Sequence, residues 1–237
     1  MLQLPEIQAL TTLSRDGWLL FATRMVRLFA YGFLAVVLGL YLAEVGLSDP
    51  QIGLVLSLTL LGDALISLPI TIIADRVGRR RMLMIGAGLM IFAGLVFALT
   101  GNVALLTITA IIGVMSPSGN EVGPFLAIEQ AALPQTTTDK QRTQVFAWYS
   151  LVGSLMTGLG SLVGGSLAQG LQASGSTPLE SYRAVIVGYA LLGGALLLIF
   201  GRMSPAVEVA EVKPAPTLSS LFGLHKSRQI VFRLSLL

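Results

Sequence analysis

Long apolar runs separated by short polar stretches set the pattern of this chain. Six runs stand at residues 18–43, 50–74, 82–100, 103–128, 145–169 and 182–201. A helix needs roughly 20 apolar residues to cross about 30 Å of hydrocarbon, and the runs match that length. The pattern therefore predicts an all-α integral membrane protein with six transmembrane helices. The fourth run is irregular. After residues 103–115 it continues as Ser116-Pro117-Ser118-Gly119-Asn120-Glu121-Val122-Gly123-Pro124. Its two prolines remove backbone donors and crowd the preceding turn, so a kink or an unwound stretch is expected. Irregular backbone at membrane depth is tolerated against protein or a wet cavity, and interrupted spans mark binding sites in transporters. The other reading places this stretch already in the cytoplasm, with Glu121 on the surface.

The second and third runs are joined by seven residues, Asp75-Arg76-Val77-Gly78-Arg79-Arg80-Arg81. So short a connection requires a tight antiparallel pair, and Gly78 lets the backbone turn where a side chain would clash. Four arginines assign the loop to the cytoplasm, where cationic loops are retained. With six spans, every basic residue except Arg183 then falls on the cytoplasmic side, and both termini are expected there. Composition agrees: 54% of the 237 residues are hydrophobic and 11% charged, and the mean hydropathy is +0.81. No soluble domain of this size needs such apolarity. The net charge of +3 follows from loop positions and does not indicate nucleic-acid binding. There is no cysteine and one histidine, His225, so neither a disulfide framework nor a Cys/His metal site is expected. No Ser/His pair or nucleotide loop suggests an enzyme, and no cofactor is expected.

Charged residues inside the runs are the candidate chemistry. Asp63 sits near the middle of the second span, where a charge costs about 2.5–3.5 kcal/mol on insertion scales and seldom faces lipid. Thr59, Asp63, Ser67 and Thr71 recur every four residues as one polar column. Asp63 reads either as an acid satisfied by a neighbouring helix or as a carboxylate that contacts substrate or a coupling proton. Arg24 and Arg27 lie in the first span. Arg27 either snorkels to the headgroups or faces an internal cavity and helps hold an anionic or polar substrate. In the fifth span, Gly160 and Gly164 form a GxxxG, with Gly165 on the adjacent row, which lets helix backbones approach closely.

Residues 75–80, Asp-Arg-x-Gly-Arg-Arg, resemble the loop signature between the second and third spans of the major facilitator superfamily. That signature reads roughly Gly-x-Leu-Ala-Asp-Arg-x-Gly-Arg-Arg. Ala74 through Arg80 match it, Ile73 replaces the leucine and Thr71 stands at the glycine position. Gly160-Ser161-Leu-Val-Gly164-Gly165 is similar to the superfamily's Gly-Pro-x-x-Gly-Gly antiporter motif, with Ser161 at the proline. Thr109 stands where proton-coupled drug antiporters of the superfamily carry an arginine.

The resemblance implies a secondary active transporter of a small molecule, working by alternating access in the plasma membrane. This chain would be its N-terminal six-helix half over residues 1–202. A cytoplasmic linker at 203–220 and the start of a seventh helix at 221–237 would follow. The implied partners are the lipid bilayer, a small-molecule substrate, a coupled proton or other ion, and the missing C-terminal half or a second copy. Arg27, Asp63, Asn120 and Glu121 would line the substrate or coupling-ion cavity. Asp75, Arg76, Gly78, Arg79, Glu129 and Arg142 would form a cytoplasmic gate network. The competing expectation is a six-span assembly or interaction module without transport activity.

Overall fold

The computed structural model describes residues 10–11, 13–119, 124–138 and 141–208. Its long helices are α1 (Arg15–Glu44), α2 (Asp49–Val77), α3 (Arg79–Leu99), α6 (Arg142–Ala173) and α7 (Pro178–Gly201). The shorter α4 (Val103–Ile112) and α5 (Pro124–Ala132) lie between α3 and α6. Among the described residues, five helices are long and apolar enough to cross a membrane. The fourth run forms no single helix, as its prolines lead one to expect. It is divided into α4 and α5, and Val114 takes a φ of +49° just beyond the end of α4.

Most helices outlast the apolar runs because polar residues cap them. Ser14 accepts a hydrogen bond from the Gly17 N–H at 3.2 Å and starts α1 three residues before the apolar run. Thr177 and Glu180 form a reciprocal capping box at the start of α7, with the Thr177 N–H donating to Glu180 at 2.9 Å. Such a pair satisfies two of the donors that every helix start leaves open. Gly78, at φ +111°, makes the turn between α2 and α3 in a single residue.

α1 is the most enclosed long helix. It packs most extensively on α6 and also on α7, α3 packs on α7, and α2 rests on α4 and α5. The α1–α6 contact depends on glycine. A Cβ at Gly160 would meet the carbonyl oxygen of Phe29, and one at Gly164 that of Phe33, well inside contact distance. Gly32 is matched in the same way against the Thr157 carbonyl. The two backbones therefore touch, as small residues permit between helices in lipid. Gly165 makes an ordinary contact, 3.8 Å from Val36 for an added Cβ. Of the five long helices, α2 and α6 bury the smallest share of their apolar stretch.

The segment after α7 begins differently from an exposed linker. Met203 and Val207 are buried, and Pro205–Val207 forms a 3₁₀ turn against the bundle. The rest of the expected linker and the expected seventh-helix start lie outside the described residues.

Candidate functional site

Three polar layers stack along the bundle, starting at the end that carries residues 75–81. In the first, Arg79 Nε donates to Asp75 Oδ1 at 3.0 Å across the turn, and Arg79 Nη1 donates to the Ala131 carbonyl at 3.2 Å. One guanidinium thus ties the turn to the end of α5. Arg79 is buried, whereas Asp75 and Arg76 are exposed. Glu208 accepts from the N–H groups of Arg79 at 2.6 Å and Arg80 at 3.2 Å. It places a negative charge on the open donors of α3, where the helix dipole favours one. Gly78 makes room for this carboxylate, because a Cβ there would lie 3.0 Å from Glu208 Oε1. The Arg80 guanidinium donates to the Gly201 carbonyl at the end of α7. Asp16, in the first turn of α1, accepts from the Ser204 N–H at 3.0 Å and from its hydroxyl. The start of the segment after α7 therefore fastens both α1 and α3.

The second layer lies deeper. Arg27 and Glu129 form a two-pronged ion pair, Nη1–Oε1 2.6 Å and Nη2–Oε2 2.7 Å, with neither side chain exposed. The Thr23 hydroxyl donates to Glu129 Oε1 at 3.1 Å, and the Tyr149 hydroxyl donates to Oε2. Four donors converge on one carboxylate, which is what a buried charge requires if it is not to cost stability. Arg24 lies over the Tyr149 ring, 4.3 Å from its centroid, and its Nε donates to the Tyr149 carbonyl at 2.7 Å. Arg27 itself stands 4.9 Å from the centroid of Phe125. Neither arginine reaches out to headgroups: both are buried among α1, α5 and α6. The pair also regroups the residues read from the sequence. Glu129 stands with Arg27 inside the bundle, Asp75 stands with Arg79 at its end, and Arg142 lies at the exposed start of α6.

The third layer holds Asp63, near the middle of α2. Asp63 is 1% exposed, and neither carboxylate oxygen accepts a hydrogen bond among the described residues. The other hydroxyls of its column turn back onto their own helix. Thr59 donates to the Val55 carbonyl at 2.8 Å and Ser67 to the Asp63 carbonyl at 2.5 Å. Gly62 packs against the Ile111 carbonyl, which seats Asp63 beside the end of α4. Across from it, the Tyr189 hydroxyl donates to the Val114 carbonyl at 3.0 Å. Tyr31 and Asp63 both lie within electrostatic range of Tyr189. Asn120 and Glu121 lie outside the described residues.

Sequence reasoning missed Tyr149, Thr23, Tyr31, Tyr189 and Glu208. A tyrosine in an apolar span must place its hydroxyl on a partner, so the three tyrosines carried a usable signal. Glu208 carried none, because its partners are 128 and 129 residues away.

The family model described as Major Facilitator Superfamily matches residues 20–237. An uncharacterized membrane protein of Saccharomyces cerevisiae is 38% identical over 198 residues, which cover 83% of this chain and 44% of that protein. The crystal structure of a D-xylose–proton symporter superposes with a TM-score of 0.62 at 18% identity, over 92% of this chain and 53% of the symporter. The chain thus spans about half the length of the proteins it matches. With the apolar helices and the Asp-Arg-x-Gly-Arg-Arg turn, this match shows that the chain belongs to the major facilitator superfamily of membrane transporters.

Proposed function

We propose that this chain forms one half of a secondary active transporter that moves a small molecule by alternating access. The observation that carries this reading is the placement of Asp63, Arg27 and Glu129. Ionisable side chains are rare within membrane helices, and those facing the interior mark substrate and ion pathways. Here they sit around a helix interrupted between α4 and α5, an arrangement suited to a site that must open and close. Arg27, Asp63, Asn120 and Glu121 are proposed for the cavity side. Asp75, Arg76, Gly78, Arg79 and Arg142 are proposed for the gate at the arginine-rich end, with Glu129 anchoring α5 behind it.

That end faces the cytoplasm of a plasma-membrane protein in this reading, because its basic residues favour retention there. The opposite wall of the pathway is supplied by a second half, which would cover the apolar faces of α2 and α6. A symporter fold neighbour and family membership both favour transport over an enzymatic role.

The test is uptake by the full-length protein in proteoliposomes, screened over sugars, amino acids, organic acids and organic cations. Saturable uptake of at least one compound is expected. Asp75 is exposed, so its ion pair with Arg79 is worth at most about 1 kcal/mol, and Asp75→Asn should slow turnover roughly twofold to fivefold. Unchanged turnover would remove Asp75 from the gate. If no compound in the screen enters faster than into protein-free liposomes, the chain is better read as an assembly module.

A further inference from the structure

We propose that residues 70–77, the last two turns of α2, form an arm that swings between Pro69 and Gly78 while the rest of this half stays fixed. Its role in gating rests on the transporter reading above, whereas the hinge itself does not. Pro69 stands inside α2, eight residues before its end. It has no N–H, so the Leu65 carbonyl loses its partner in the helix, and the ring crowds that carbonyl. Helices bend at such points. At the far end, Gly78 has φ +111°, a conformation that residues with side chains rarely adopt. Two pivots thus bracket the arm.

The two parts of α2 are held differently. Before Pro69, Val55, Thr59, Gly62 and Asp63 are buried along one stripe. Gly62 brings the backbone of α2 against the Ile111 carbonyl of α4, with no room for a Cβ between them. That part cannot shift without separating two backbones. Past Pro69, Ala74 is the one buried residue of the arm, and Ile72, Ile73 and Val77 are each at least 40% exposed.

The same contrast runs across the Gly78 turn. On the α3 side, Glu208 accepts from the N–H groups of Arg79 and Arg80. Arg79 Nη1 donates to the Ala131 carbonyl, and the Arg80 guanidinium donates to the Gly201 carbonyl. On the α2 side, among the described residues, the side-chain tie from the arm to another helix is Asp75 Oδ1 to Arg79 Nε at 3.0 Å. The Asp75 side chain is 59% exposed, so water screens the pair and the tie is weak. α3 is anchored where the arm is only latched.

The size of the motion follows from helix geometry. Eight residues of helix extend about 12 Å. A change of about 25° in the bend at Pro69 moves the tip by about 5 Å. Asp75 and Arg76 ride near that tip, so their charges approach or leave Arg79 while α3 stays in place. Rocking of a half as one body moves all of its helices together, and the arm adds a motion within the half. One exposed ion pair favours the docked position by at most roughly fivefold, so both positions are populated.

The experiment is double electron–electron resonance on the spin-labelled full-length protein in nanodiscs, with any cysteine outside this chain replaced by serine and no transported compound added. One label pair, Val77→Cys with Arg202→Cys, reports the arm from two exposed positions. The other, Gly53→Cys on α2 with Gly170→Cys on α6, reports the body of α2, and an added Cβ meets open space at both. The arm pair should show two distances about 5 Å apart, and the body pair one. Asp75→Asn should raise the ratio of swung to docked arm roughly twofold to fivefold. Pro69→Ala, at an exposed position, restores the missing N–H and should leave the arm pair a single distance. A single arm distance that Asp75→Asn does not split would overturn the proposal. Two distances in both pairs would do the same, because α2 then moves as a whole. So would two arm distances that persist in Pro69→Ala. If Pro69→Ala does not fold, the two pairs and Asp75→Asn decide. A fixed arm leaves the transport reading standing, whereas a compound screen without uptake removes that reading and leaves the hinge.

Discussion

Arg27 and Glu129 are the residues whose pairing most constrains the bundle. Their side chains have no solvent exposure, so neither charge can be rehydrated if the other is lost. Breaking a buried pair by removing one partner costs about 3–5 kcal/mol, more than either single hydrogen bond is worth. Glu129→Gln is therefore expected to lower thermal stability sharply in detergent. Replacing both partners with apolar residues, as in Arg27→Met with Glu129→Leu, should recover most of the loss. A double variant no more stable than Glu129→Gln would show that the pair is not what holds α1 to α5. The sequence carried the existence of these charges but not their partnership. Arg27 and Glu129 lie 102 residues apart, and one-dimensional spacing offers no reason to prefer Arg27 over Arg142 or Arg79 as the partner of Glu129. Asp75 and Arg79 were legible because they are four residues apart on adjoining helix ends.

At the scale of elements, the bundle rests on the contact between α1 and α6. Gly160 and Gly164 face the carbonyls of Phe29 and Phe33, while Gly158, on the same helix, has open space where a Cβ would stand. Gly160→Ala must push two backbones apart and should destabilise by roughly 1–3 kcal/mol. Gly158→Ala should be neutral or gain up to about 1 kcal/mol from helix propensity. Thermal unfolding of the two variants side by side checks this, and equal effects would contradict the close packing. Helix existence and order were readable from apolar run length, since a span must satisfy its backbone internally. The interruption of the fourth run was readable from Pro117 and Pro124. What could not be read was the role of residues 203–208. Glu208 looks like a linker charge in the sequence, yet it caps α3, and Met203 and Val207 are buried. Those roles depend on where α7 delivers the chain, which is a property of packing.

For the whole molecule, the proposed pathway runs past the interrupted fourth span and is reached alternately from either face of the membrane. Gly119 sits against Thr157 of α6 and Ala35 of α1, which places the start of the break beside the α1–α6 contact. Ser118 beside it is exposed, and this chain contains no cysteine that would compete with an introduced one. The most direct measurement is labelling of a Ser118→Cys full-length protein, with any cysteine outside this chain replaced by serine, using a membrane-impermeant maleimide applied separately to right-side-out and inside-out vesicles. Alternating access predicts labelling from both faces, with protection from one face accompanied by exposure to the other. Labelling from a single face under every condition would rule out alternating access at this position.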